Sequence, residues 1–320
     1  MTAFLESNIV ITVILFIVGL VLIMLGGDRF VDSSVDISKR FGIPQVVIGA
    51  TIVSLGTTLP EVLVSTTAAF QGQGNMAIGN AFGSIVCNTL LIAGVTQAFN
   101  PSTGVKKSDI SWRSILFFAF YIAVAGIGLI TGGLNRIVGI CLLVGFGVYA
   151  YLSMKNTGAE DSEEESEEVE GTITKSIITM IICAGMLFIG ARLLVDCGSV
   201  IAMKLGVPEG VIAVTFVALG TSLPEFVTAI TALIKGYQDV SLGNIIGANT
   251  LNLLLVLGIP AAVTGIQITD KAFYLAAPFG LYAMLLLLVP FFKSGRGYKW
   301  QGMLLVASYV VYTILSFTIV

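Results

Sequence analysis

Apolar positions along this chain come in long runs rather than in alternation. Stretches of about 20 mainly apolar residues recur from one end to the other, separated by short polar breaks. A run of that length crosses a bilayer as one α-helix at ~1.5 Å per residue. The roughly ten-residue alternating pattern of a membrane barrel strand is absent. The pattern predicts ten spans, at 8–37, 45–71, 76–98, 112–132, 136–154, 174–204, 209–235, 239–263, 271–292 and 300–319. The first and sixth exceed what the bilayer needs, which predicts tilt. The opening segment, MTAFLESNIVITVILFIVGLVLIML, has no Lys or Arg before its apolar run. It also lacks a small-residue cleavage site followed by polar chain, so it reads as a first membrane helix and not a cleaved signal.

Composition removes whole classes of function. Of the 320 residues, 56% are hydrophobic and 11% charged, and the mean hydropathy is +0.98. Soluble domains run near 25% charged, so a soluble enzyme or a nucleic-acid binder is excluded. The absence of histidine excludes His-based triads, His metal sites and His proton relays. The four cysteines (Cys87, Cys141, Cys183 and Cys197) lie singly in apolar segments and read as buried small hydrophobes.

Charge then assigns sides. The odd-numbered loops hold eleven Lys and Arg, namely Lys39, Arg40, Lys106, Lys107, Arg113, Lys155, Lys175, Lys235, Lys293, Arg296 and Lys299. The even-numbered loops hold three, Arg136, Lys204 and Lys271. By the positive-inside rule the odd loops are cytoplasmic and both termini lie outside. The most polar stretch, GAEDSEEESEEVEG (158–171), carries eight of the nineteen acids and sets the net charge of −3. A block of like charge is solvated and disordered. It reads as a linker between halves, with a cytoplasmic cation-gathering loop as the alternative.

The halves match. A shift of 164 residues lays GIPQVVIGATIVSLGTTLPE (42–61) on GVPEGVIAVTFVALGTSLPE (206–225), with twelve of twenty positions identical. The register continues without a gap: Asp32 meets Asp196, Gly79-Asn80 meets Gly243-Asn244, Gly83 meets Gly247, and Asn88 meets Asn252. Each half holds five spans. An odd number makes the second copy enter from the opposite side, so the expected fold is all-α, ten transmembrane helices in two inverted five-helix repeats. The expected divisions are 1–154, an acidic cytoplasmic linker at 155–173, and 174–320. Inverted repeats with broken helices are a transporter architecture, with substrate at the midplane.

The polar groups inside the membrane are the candidate chemistry. Pro60 lacks an N–H, and its ring clashes with the carbonyl of Gly56; Pro224 stands in the same relation to Gly220. The spacing predicts unwinding near 54–57 and 218–221, with carbonyls freed for protein or a bound ion. Glu61 and Glu225 follow at once, and a carboxylate in mid-membrane is costly unless partnered. Thr57, Thr58, Thr221 and Ser222 add hydroxyls. Hard oxygen ligands of this kind suit Ca²⁺ or Na⁺ and not Zn²⁺ or copper. Two carboxylates match one divalent cation, or fewer than all of several monovalent ones. The third and eighth spans, GNAFGSIVCNTLL (79–91) and GNIIGANTLNLLL (243–255), supply a facing wall. Ser84 and Asn88 share one helix face there, and Asn252 and Ala248 take their places in the other half. Gly79/Gly83 and Gly243/Gly247 have the spacing that lets helices approach closely. Asp28, Asp32 and Asp196 read as interfacial partners of Arg29 and Arg192.

SLGTTLPE with GNAFGSIVCN, and ALGTSLPE with GNIIGANTLN, resemble the two alpha-repeats of the sodium/calcium exchanger family, prokaryotic type, within the calcium/cation antiporter superfamily. The resemblance is close over 42–95 and 206–259. It implies exchange of Ca²⁺ against several Na⁺ by alternating access, with the long first and sixth spans sliding across the core. It implies calcium at Glu61 and Glu225 with the backbone carbonyls of Thr57 and Thr221. It implies sodium sites involving the Ser54 and Ala218 carbonyls, Thr58, Ser84, Asn88 and Ser222; Asn252, the symmetry mate of Asn88, is expected to face the site from the eighth span. Relatives often have an acid where Asn252 stands and a serine where Ala248 stands; potassium-dependent exchangers keep that acid, so the resemblance argues against potassium dependence. Ala248 withholds a hydroxyl from one sodium site. About twenty residues join spans five and six, too few for the regulatory calcium-binding domains of animal exchangers. Proton-coupled relatives read G-N-A-x-E where this chain has Gly79 to Gly83 and Gly243 to Gly247 without the acid.

The expectation is therefore a secondary antiporter in the cell membrane that moves Ca²⁺ against Na⁺. The alternative is a cation/proton exchanger for Ca²⁺ or another divalent ion. No cofactor is expected beyond the transported ions. The expected partners are Ca²⁺, Na⁺ and the lipid bilayer, with no nucleic acid, and a monomer is compatible with the sequence. A channel would need a continuous pore, and an intramembrane enzyme would need a nucleophile and base that the spans do not pair.

Overall fold

A computed structural model describes residues 5, 8–103, 107–155, 172–206, 220–269 and 271–319. Among these, ten helices account for the expected spans: α1 (Ile9–Phe41), α2 (Gln45–Phe70), α3 (Gly74–Phe99), α4 (Lys107–Thr131), α5 (Arg136–Lys155), α6 (Ile173–Lys204), α7 (Leu223–Ile234), α8 (Gln238–Thr264), α9 (Lys271–Ser294) and α10 (Lys299–Ile319). Nine are long and apolar enough to cross a membrane; α7 has 12 residues. The first part of the expected seventh span, 209–219, lies outside the described residues, as does the acidic stretch 158–171.

Burial sorts the helices into shell and core. In α1 only 22% of the most apolar stretch is buried, against 72% in α3 and 83% in α8. Ile14, Ile17, Ile181 and Ile182 present large apolar side chains to the outside, a surface that only lipid solvates without cost. At 33 residues α1 runs roughly 50 Å, beyond the ~30 Å of a bilayer core, and α6 at 32 residues is nearly as long. The two pack along each other. Glycine permits it: a Cβ on Gly190 would stand 2.9 Å from the Gly19 carbonyl oxygen. Inside, α3 is pinned through Phe82, whose ring meets those of Phe273 at 5.1 Å and Tyr121 at 5.4 Å, both edge-on.

Several local features repeat at the 164-residue offset. Gly42 and Gly206 both adopt positive φ, as do Gly72 and Gly236, a conformation that costs other residues a Cβ clash. A two-residue antiparallel ladder, β1 (Gly133–Leu134) with β2 (Ile266–Gln267), pairs Gly133 with Gln267. An isolated bridge between Thr103 and Arg296 is its counterpart to within one residue. Within α3 and α8 the chain widens into π-helical turns at Cys87–Ala93 and Asn252–Leu257, equivalent positions in the two halves. The sequence pattern did not announce these turns, which cluster at functional sites.

Three expectations need correction. The unwinding predicted at 54–57 is absent: α2 continues through Pro60, and its irregularity is a π-helical stretch at Gly49–Val53. A proline deletes one donor from the ladder, and the turns on either side of it stay helical here. In the second half the break is present, with Thr221 and Ser222 in a turn before α7 opens at Leu223, so that Pro224 falls in the first turn where its missing N–H costs nothing. Cys141 is exposed on α5, whereas Cys87, Cys183 and Cys197 are buried. Arg192 does pair with Asp196 at 3.1 Å, but Asp28 and Asp32 converge instead on Lys235, at 2.6 and 2.7 Å. Burial alone would favour the neutral amine of Lys235; the two carboxylates outweigh it and hold its pKa above the ordinary value. Tertiary folding places the end of α7 against α1, which sequence distance could not reveal.

Candidate functional site

Two short segments from each half meet at the centre. α2 and α8 touch backbone to backbone: a Cβ on Gly243 would lie 2.1 Å from the Val46 carbonyl oxygen, and one on Gly247 would lie 2.6 Å from that of Ala50. The glycine spacing thus does in α8 what was expected. The stretch equivalent to α2's contact face, 207–219, is not described, so Gly79 and Gly83 have no such comparison.

Beside this contact the described candidate side chains are buried, and several bond across the two halves. Glu61 and Glu225 are 0% and 1% exposed. Among the described residues neither oxygen of Glu61 has a hydrogen-bond partner, nor has Oε2 of Glu225. Oε1 of Glu225 accepts from the Thr58 hydroxyl at 3.2 Å. Thr57 donates to the Ser54 carbonyl at 3.3 Å and lies 3.2 Å from Oδ1 of Asn244. Its equivalent, Thr221, donates to Oδ1 of Asn80 at 3.1 Å. Each threonine is therefore held by an asparagine of the opposite half. Ser222 donates to Ser84 at 3.4 Å, again across the halves. Ser54 turns its own hydroxyl back to the Thr51 carbonyl at 3.0 Å. Asn88 and Asn252 are buried; Oδ1 of Asn88 and both amide atoms of Asn252 have no hydrogen-bond partner among the described residues. Ala248 is fully buried, and Ala218 lies outside the described residues.

Residues absent from the sequence-based site complete the cluster. Asn80 donates to the Glu61 carbonyl at 3.2 Å and to Ser65 at 2.9 Å while accepting from Thr221. Asn244 holds Thr57, and Asn249 bonds to Asn88. The available signal was the duplicated Gly-Asn pair at 79–80 and 243–244.

The arrangement is rich in hard oxygen and amide groups with unfilled lone pairs. Among the described residues no three His, Cys, Asp or Glu side chains come together, so a soft transition-metal cage is not built here. Unpartnered carboxylates in a water-poor interior are expensive, and a hard cation is the partner that offsets this cost.

Comparison with known proteins agrees with the geometry. The family described as sodium/calcium exchanger protein matches residues 11–155 and 175–318. An uncharacterized membrane protein of Methanocaldococcus jannaschii is 33% identical over 92% of this chain and 95% of its own length. A sodium/calcium exchanger of Methanosarcina acetivorans is 29% identical over 97% of this chain and 100% of its own. Among solved structures, the sodium-calcium exchanger NCX_Mj soaked with Na⁺ and Sr²⁺ superposes with a TM-score of 0.82 at 32% identity, over 95% of this chain and 98% of that one.

Proposed function

The chain belongs to the sodium/calcium exchanger family of membrane transporters, and on that premise we propose that it exchanges Ca²⁺ for Na⁺ by alternating access. The ions bind between two inverted repeats, 1–154 and 174–320, joined by the linker 155–173. Ca²⁺ is held by Glu61 and Glu225 with the carbonyls of Thr57 and Thr221. Na⁺ is held nearby by the carbonyls of Ser54 and Ala218 and by Thr58, Ser84, Asn88, Ser222 and Asn252. The protein sits in the cell membrane with both termini outside and the linker in the cytoplasm.

One observation carries this reading: two fully buried carboxylates, of whose four oxygens only one has a hydrogen-bond partner among the described residues. Two negative charges balance one Ca²⁺. They leave a net charge when several Na⁺ occupy the same space, so the two loads exclude each other by charge as well as by volume. The same bare carboxylates could take protons, which keeps a cation/proton exchanger for Ca²⁺ or another divalent ion as the second reading. ⁴⁵Ca²⁺ uptake by proteoliposomes loaded with Na⁺ separates the two. Uptake is expected to require outward Na⁺ and to collapse when Na⁺ is equal on both sides. Uptake driven by a pH gradient alone, without Na⁺, overturns the sodium reading in favour of proton coupling.

A further inference from the structure

Asn88 presents a problem that its position does not solve. A carboxamide has a donor end and an acceptor end of nearly equal size, and only the oxygen can ligate a cation. In this structure Oδ1 of Asn88 is buried without a hydrogen-bond partner among the described residues. It lies on the face of α3 that carries Ser84, one turn earlier, which meets Ser222 of the ion site. The amide nitrogen turns away toward α8, 3.3 Å from Oδ1 of Asn249.

What sets that polarity can be traced atom by atom. The Thr89 hydroxyl lies 2.7 Å from the Ile85 carbonyl and 3.4 Å from the Met284 sulfur. Both are acceptors only, so whichever it uses, the Thr89 proton is committed and its oxygen must accept. Asn249 supplies the donor, with Nδ2 2.7 Å from that oxygen and 3.2 Å from the Met284 sulfur. An Asn249 amide anchored by its nitrogen presents oxygen at its other end. That oxygen requires a donor, and Asn88 offers Nδ2. Its own Oδ1 is thereby left at the other end of the amide, buried and unbonded among the described residues. All three residues are 0% exposed, so no water competes for these bonds. The second half lacks the device: Ile85 stands where Asn249 would repeat and Leu253 where Thr89 would. Asn252 accordingly has neither amide atom bonded.

We propose that Thr89 and Asn249 are positioning residues: a polarised hydrogen-bond relay, anchored on the Ile85 carbonyl, that fixes the Asn88 carboxamide with its oxygen toward the transported cations. The relay rests on the reading of Asn88 as an ion ligand. A flipped Asn88 would present two N–H donors to a cation, which is repulsive, so losing the relay must weaken ion binding before it slows the transport cycle.

The test uses the full chain in proteoliposomes. Half-saturating Na⁺ and Ca²⁺ concentrations and the maximal exchange rate are measured for Thr89→Val, Thr89→Ser, Asn88→Ala and the double variant Asn88→Ala/Thr89→Val. Thr89→Val keeps shape and removes the hydroxyl. It is expected to raise the half-saturating concentration of at least one ion by about fivefold or more, with the maximal rate within about threefold. Thr89→Ser restores the wild-type value to within about twofold. Thr89→Val adds nothing once Asn88→Ala is present, because the amide it orients is gone. Equal behaviour of the Val and Ser variants, or a full additional shift in the double variant, overturns the relay. If Thr89→Val does not fold, Asn249→Leu interrupts the relay at its middle and carries the same expectations. Asn88→Ala with unchanged half-saturation for both ions refutes the ligand assignment and the relay with it. Absence of Na⁺-dependent exchange in the wild type refutes the antiporter reading itself.

Discussion

Among the described residues no hydrogen bond reaches either buried oxygen of Glu61. Glu61→Gln and Glu225→Gln each leave a divalent ion half neutralised where the effective dielectric is low, and the imbalance costs several kcal/mol. Each is expected to bring Na⁺-driven Ca²⁺ uptake near background; exchange above about a third of wild type in either variant contradicts the ligand assignment. Asn252 supplies a second prediction. It is buried with both amide atoms unbonded among the described residues, so Asn252→Asp is expected to add a third negative charge to the proposed ion site. A further cation or a proton must then accompany the load. By resemblance to potassium-dependent exchangers that cation can be K⁺, so the variant is expected to gain K⁺ stimulation or pH sensitivity between about pH 6 and 8. Identical responses in variant and wild type would mean that Asn252 does not face the ions.

At the scale of helices, the contact between α2 and α8 holds the site's geometry. A Cβ on Gly247 would fall 2.4 Å from the Ser54 hydroxyl and 2.7 Å from the Ala50 Cα. Backbone cannot yield as a flexible side chain can, so Gly247→Ala is expected to cost ~1–3 kcal/mol. It should also displace Ser54, whose carbonyl is assigned to Na⁺. Gly185 in α6 has nothing within 4 Å among the described residues. Gly185→Ala is therefore expected to be neutral, or slightly stabilising through helix propensity. Thermal unfolding in detergent reads both, and a Gly247→Ala midpoint no lower than that of Gly185→Ala would dismiss the close-approach argument.

For the whole molecule the open question is whether the acidic stretch does more than connect. A neutral Gly/Ser linker of equal length in place of Gly158–Gly171 is expected to leave exchange within about threefold, because salt screens its field within about 8 Å under physiological conditions. A variant transporting at a tenth of the wild-type rate, at normal expression, would assign the tract a role in gathering cations.

The span pattern, the 164-residue repeat and the buried glutamates were legible in the sequence because each depends on local facts. An apolar run of about 20 residues has one use, a duplicated motif needs only alignment, and a carboxylate within such a run has no inexpensive explanation. What the sequence could not supply was everything that depends on which helices meet. Asn80 and Asn244 became site residues only when folding set each against a threonine of the other half. Lys235, read as a loop charge, found Asp28 and Asp32 more than 200 positions away. Pro60 promised a break by its own chemistry, yet close packing carried α2 straight through it, while the irregular turns appeared at Gly49–Val53, Cys87–Ala93 and Asn252–Leu257. A proline's missing donor is a property of one residue, but whether a helix breaks there is decided by the neighbours that hold the turns on either side, and those neighbours exist only in the tertiary structure.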